Sequence, residues 1–292
     1  MKEQLQLIFG ALLALVLLPL TITLILSGWD AVSLNKEPDI EMYLIEMIYR
    51  ELPEDYEEEA IKAQAVLARS TLKKGLKDGS VTQSDLERIA SNLKEDMEKK
   101  EFLKNYEIIE GYVRQTKGEV LMYENQICEG SFHRVSAGAT RDGAEVFGND
   151  TYAYIAGVES AMDMESADYM KGHYFTPEEL YAALKEMYPD SEVDTEKIED
   201  SIEIVARDAK GYILEMEVGN VPCSGEEFRK VLNLNSSNFT LSKMGNEIRF
   251  LCRGVGHGLG MSQFGANKLA LQGKDYKDIL KYYFPRVEII VA

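Results

Sequence analysis

Between Glu3 and Asp30 the chain carries no charged residue, and Leu7 to Leu26 supply 20 largely apolar positions inside that gap. A helix of about 20 residues covers a hydrocarbon core of about 30 Å, and it pairs its own backbone polar groups within the bilayer. The stretch exceeds the roughly 7 to 15 residues of a signal-peptide apolar region and ends in no small-x-small cleavage site, so it reads as a retained single-pass anchor. Lys2 precedes it, whereas Asp30, Glu37, Asp39 and Glu41 follow. That asymmetry keeps the N-terminus cytoplasmic and places the rest outside the cell membrane. Residues 1–29 are therefore expected to form the cytoplasmic end and transmembrane anchor, 30–40 a tether, and 41–292 one extracytoplasmic domain.

Lys2 and Glu3 cancel, so the exported part bears the whole net charge of -18. Such a body repels phosphate, which argues against a nucleic-acid partner. The exception is the stretch 253–286, where Arg253, Lys268, Lys274, Lys277, Lys281 and Arg286 outweigh Asp275 and Asp278. It either faces an anionic polymer or is a solvated surface. Cys128, Cys223 and Cys252 are too few for a disulfide framework, although one bridge stays open. No second C-x-x-C or H-x-x-x-H completes a four-ligand zinc set, so neither a metal nor another cofactor is expected.

The segment 41–50 places Leu44, Met47 and Ile48 at helical spacing, with Glu51 continuing the same stripe and Pro53 stopping the helix there. A second helix is predicted over 54–74, with Ile61, Ala65, Ala68 and Leu72 buried and Gln64 and Arg69 near the packed surface; Gly75 and Gly79-Ser80 are predicted to break the chain after it. An amphipathic helical insertion follows at about 82–116. Strands are predicted at 119–123, 127–135 and 150–158, and a hairpin over 201–218. Thr176 with Glu179, and Ser224 with Glu227, open two further helices as capping boxes. A strand at 248–253, a glycine loop at 254–260 and a helix from Ser262 to Leu271 complete the reading. Helices mainly precede strands, which indicates an α+β domain of mixed helices and strands.

Glu51 is the candidate acid, since a carboxyl at the rim of an apolar face is desolvated and its pKa rises toward the range useful in general acid-base work. In RGVGHGLGMSQFGA (253–266), glycines at 254, 256, 258 and 260 clear one face of an extended segment for a sugar ring or another backbone, and His257 projects between them. Ser262 and Gln263 open the next helix and offer hydrogen bonds to a polar ligand. The spacing fits neither a dinucleotide fingerprint nor a phosphate-binding loop.

Four blocks resemble the stage II sporulation protein D family, which also includes amidase-enhancer proteins: YLIEMIYRELPEDYEEEAIKAQAVLARS (43–70), FHRVSAGATRDGAEVFG (132–148), SGEEFRKVLNLNSSNFTL (224–241) and RGVGHGLGMSQFGANKLALQGKDYKDILKYYFP (253–285). The resemblance implies a lytic transglycosylase acting on peptidoglycan glycan strands in spore-wall remodelling during engulfment. Its catalytic glutamate maps onto Glu51, and His133, Ser136 and Thr140 stand as sugar-contacting residues beside Gln64, Arg69, His257, Ser262 and Gln263. The enhancer branch implies instead a non-catalytic glycan-binding scaffold that activates a cell-wall amidase. Where some family members carry a metal-bound cysteine- and aspartate-containing segment, this chain has charged residues from Asp85 to Lys104, so no metal is carried over. Ala137 also stands where the family loop has its first glycine.

Overall fold

The computed structural model describes residues 40–53 and 55–292. The apolar stretch Leu7 to Leu26 and residues 30–39 of the expected tether lie outside the described residues, and among those described no helix is long and apolar enough to cross a membrane. Glu41 to Ala292 forms one unit of mixed helices and strands.

Helix α1 (Ile40–Glu51) buries Leu44 and Ile48, one turn apart, with Tyr43 and Ile45 beside them. Its last bond runs from Leu52 N–H to Ile48 O at 3.0 Å, and Pro53 has no N–H with which to continue. Helix α2 (Glu58–Asp78) starts later than the acid run at Glu54 predicts. Glu57 stays extended and donates its N–H to the Asn267 side chain at 2.7 Å, so a distant residue sets this boundary. Ile61, Ala65, Ala68 and Leu72 are all buried. The helix passes through Gly75, contrary to the predicted break, because a Cβ there would stand 2.3 Å from Val81 Cγ2: glycine admits the returning chain. The stop comes at Gly79, in the left-handed region at φ 78°.

The charged stretch forms two helices, α3 (Gln83–Asp96) and α4 (Lys100–Gln115). Leu86, Leu93, Phe102, Ile109 and Val113 turn inward, and Tyr49 of α1 meets the Phe102 ring edge-on at 4.6 Å. Next come β1 (Glu119–Tyr123) and β2 (Gln126–Ile127), joined by Glu124 and Asn125, both at positive φ as a type I′ turn requires. The predicted strand 127–135 does not run through: Gly130 crosses α2 so closely that a Cβ would lie 2.4 Å from Leu67 O, and pairing resumes only in β3 (Phe132–His133). The predicted strand at 150–158 is absent; a 3-10 turn at Asp150–Tyr152 takes its place, opened by Asn149 accepting the Thr151 N–H.

Two strand systems follow. In one, β4 (Met170–Phe175) leads into helix α5 (Pro177–Met187), which starts on the predicted Thr176–Glu179 capping box. In the other, β5 (Ile202–Arg207), β6 (Ile213–Val218) and β7 (Val221–Ser224) form an antiparallel meander. Helix α6 (Gly225–Val231) opens on the predicted Ser224–Glu227 box. Strands β8 (Phe239–Met244) and β9 (Glu247–Arg253) then complete a three-stranded sheet in the order β4-β9-β8. After the glycine loop, β10 (Met261–Ser262) pairs in parallel with β3. Helices α7 (Gln263–Leu271) and α8 (Tyr276–Tyr283) and strand β11 (Glu288–Val291) end the chain, β11 pairing with β1. The core falls in two clusters. One packs Val66, Leu67, Leu269, Ile279 and Tyr283 around α2, α7 and α8; the other packs Leu184, Met216, Phe228, Phe239 and Phe250 between the two C-terminal sheets and their helices.

Candidate functional site

Glu51 ends α1 with its side chain exposed. Its carboxyl nevertheless stands above the usual glutamate range, because surrounding protein atoms displace part of its hydration. Leu52 and Pro53, the next two residues, enter the wall of a groove of about 230 Å³ whose other side chains include Tyr49, Tyr56, Asn105 and Tyr112. The wall thus combines α1, the extended link to α2, and α4. Tyrosines present an apolar face with a polar tip, the composition that suits a sugar ring. Tyr56, Asn105 and Tyr112 are absent from the sequence-predicted set; Asn105 and Tyr112 sit on α4, which meets α1 only through tertiary packing.

No residue of the glycine loop lines this groove, and neither do His133 and Glu51 itself. Tyr56 links the two regions. Its hydroxyl is pushed up to about 12, chiefly by burial, and it feels the charges of Arg134, Asp163 and Asp168.

The loop glycines serve the fold rather than an open sugar face. All four lie at positive φ, so the segment is not extended. A Cβ at Gly254 would stand 2.7 Å from Val135 O, at Gly256 2.9 Å from His133 Cβ, at Gly258 2.6 Å from the Tyr212 ring, and at Gly260 2.0 Å from Ser131 O. They let the loop lie against β3 and Tyr212. His133 is buried, and its Nδ1 lies 3.0 Å from Leu259 O. A carbonyl only accepts, so Nδ1 carries the hydrogen and Nε2 keeps a lone pair. Burial lowers its pKa to about 3, leaving it neutral under ordinary conditions. His257, half-buried, accepts the Leu259 N–H on Nδ1 at 3.1 Å, and its ring lies 5.9 Å from that of His133.

Beneath the loop lies a buried polar cluster that the sequence reading missed. Asp163, fully buried, accepts the Ser136 N–H at 2.9 Å and the Ser262 hydroxyl at 2.8 Å. Burial holds its carboxyl above the usual aspartate range, against the pull of these donors. Arg141 pairs with Asp208, donates to His257 O and lies over the Tyr212 ring, whose hydroxyl accepts the Ala137 N–H. A short 3-10 turn, Ala161–Glu165, delivers Asp163, and such a turn has no readable period.

The expected sugar contacts divide by whether their polar atoms are already engaged. Arg69 is saturated: its guanidinium takes both Glu41 oxygens and donates to Glu119 O, Val113 O and Thr116 Oγ1, fastening α1, α2, α4 and β1 together. Thr140 donates to Ala156 O and accepts the Val158 N–H. The Ser136 hydroxyl accepts the Gly138 N–H, and that of Ser262 accepts the Gly265 N–H as an N-cap. Three others keep a buried polar atom without a partner: Gln64 Oε1, His133 Nε2 and Gln263 Nε2. Such atoms are costly unless a ligand or water completes them, which sets these three apart.

Among the described residues no group of His, Cys, Asp and Glu is arranged to hold a metal ion. The three cysteines are free thiols, and burial raises Cys128 to about 12.

The family described as stage II sporulation protein matches residues 30–123. Stage II sporulation protein D of Bacillus subtilis (strain 168) is 31% identical over 269 residues, covering 87% of this chain and 75% of the relative. The protein of the same name from Bacillus amyloliquefaciens is 29% identical over 266 residues, covering 87% and 74%. The amidase enhancer of Bacillus subtilis is 42% identical over 50 residues, which are 17% of this chain and 7% of that protein. With this similarity running along most of both chains, the protein belongs to the stage II sporulation protein D family.

Proposed function

We propose that this protein is a lytic transglycosylase that cuts peptidoglycan glycan strands during spore-wall remodelling, with Glu51 as its acid and base. The observation that carries this reading is the raised carboxyl of Glu51, which immediately precedes Leu52 and Pro53 in the wall of a groove that three tyrosines also line. A protonated Glu51 gives its proton to the glycosidic oxygen as that bond breaks. The resulting carboxylate takes the proton of the muramic acid C6 hydroxyl, whose oxygen closes on the anomeric carbon to leave an anhydro sugar. One carboxyl returns to its starting state, and no water is consumed.

The charge-free stretch Gln4 to Trp29 would hold the enzyme to the membrane, facing the wall, and membrane fractionation of the native host checks that part. A second reading, a glycan-binding activator of a wall amidase, is favoured by the short match to the amidase enhancer.

Glu51→Gln separates the two. The amide keeps the side chain's size but moves no proton, so cleavage should fall by at least about 10² to 10⁴-fold while strand binding persists. A Gln variant that cuts at the wild-type rate removes Glu51 from the mechanism. If wild-type protein cuts nothing and both forms stimulate an amidase equally, the activator reading holds.

A further inference from the structure

A second groove, of about 650 Å³, shares no lining residue with the one beside Glu51. One wall comes from β4, where Lys171, His173 and Phe175 occupy alternate positions and therefore share a face of the strand. Arg229 of α6 contributes to the lining, as do Asn235 and Val255 from the loops beside β8 and β9. In a chain of net charge -18, the residues lining this groove include two cations and a histidine but no Asp or Glu.

These cations are available. Lys171 is exposed, and among the described residues its ammonium makes no ion pair or hydrogen bond. Arg229 is engaged on one side, its Nε donating to Glu226 at 2.6 Å. The carbonyls ending α6 are occupied, Lys230 O by the Asn233 N–H and Arg229 O by the Leu234 N–H, so they oppose the cations little. His173 donates Nε2–H to Asn235 Oδ1 at 3.0 Å, which fixes the ring. The charge acting on that ring is Lys171 from its own strand, while Arg229, paired with Glu226, lines the same groove from α6; the neighbour of His173 across the sheet on β9 is the apolar Phe250.

We infer that this groove binds an acidic peptide, its carboxylates on Lys171 and Arg229 and its aliphatic part against Phe175 and Val255. A free inorganic anion would satisfy the cations but leave the apolar wall unused and most of the volume empty. The inference stands apart from the transglycosylase reading, since neither its residues nor its test involves Glu51.

The test is calorimetric titration of the full chain with acetylated triglutamate, triglutamine and inorganic phosphate, alongside NMR of the histidine ring protons. The chain has three histidines, so these signals are assignable by substitution. Triglutamate should bind, weaken in high salt, and raise the His173 pKa by placing negative charge beside the ring. Lys171→Glu should weaken it at least about tenfold, with the melting temperature unchanged because the side chain is exposed. Lys171→Gln, with a smaller loss, replaces that variant should it fail to fold. Absence of triglutamate binding overturns the inference, as does equal affinity in the Lys171 variant. Triglutamine or phosphate binding as tightly as triglutamate would equally refute an acidic-peptide site.

Discussion

In the proposed mechanism Glu51 draws its chemistry from partial desolvation at a helix end, and this fixes the sign of its pH dependence. A raised pKa keeps the acid form present to higher pH, so kcat/KM for strand cleavage should fall as pH rises through that value. The same shift means that the fold disfavours the charged form. Any stability from this group is therefore greatest at low pH and lost as pH rises through the folded-state pKa, and Glu51→Gln should not lower the melting temperature at pH 7. A Gln variant that melts earlier would contradict it. Gly258 makes the opposite case. At φ 77° and 2.6 Å from the Tyr212 ring, valine would meet overpacking of about 1–3 kcal/mol on top of about 1–2 kcal/mol for a left-handed backbone. Gly258→Val should shift the urea midpoint down before any change in glycan affinity; an unchanged midpoint would show that the position faces open space. The helix end at Glu51 was legible in the sequence because Pro53 announces it. The orientation of the glycines was not, since alternation alone does not say which surface they release.

At the scale of elements, the contact of greatest consequence joins the Glu51 helix to the charged insertion. Arg50 pairs with Glu46 one turn back in α1 and with Asp96 at the end of α3, the latter at 2.7 Å. Both carboxylates are buried, at 1% and 3% exposure. Burial raises Glu46, while Lys99 and then Arg50 hold Asp96 below its usual range. Arg50→Met would leave two buried carboxylates facing each other. Losing such a partner costs up to about 3–5 kcal/mol, less here because half of the Arg50 side chain is exposed. Hydrogen exchange should quicken in α3 and α4, and cleavage should fall with it, since α4 supplies Asn105 and Tyr112 to the groove; unchanged exchange would deny the contact this role. Acid should act similarly, because a depressed Asp96 stabilises at neutral pH and loses that contribution as pH falls through its folded value. Elements with local signals were readable: the Thr176 and Ser224 caps open their helices where the sequence places them. Strand β4 was not, because Met-Lys-Gly-His-Tyr-Phe has no apolar alternation and becomes a strand by pairing with β9.

For the whole molecule, the closure of β11 onto β1 returns the C-terminal strand to the first strand of the fold. The first and last family blocks share one scaffold, α2 packing with α7 and α8. Family membership and the α+β class were both legible in the four sequence blocks, because block order and the run of caps and glycines survive without knowledge of contacts. The shape of the site was not, for it depends on α4 folding back across more than one helix. The central claim is that this scaffold cleaves glycan by intramolecular closure, and mass spectrometry of strands incubated with the full chain tests it most directly. The account predicts anhydro-muramyl ends that appear with wild type and vanish with Glu51→Gln; reducing ends, or strands bound but uncut, would contradict it.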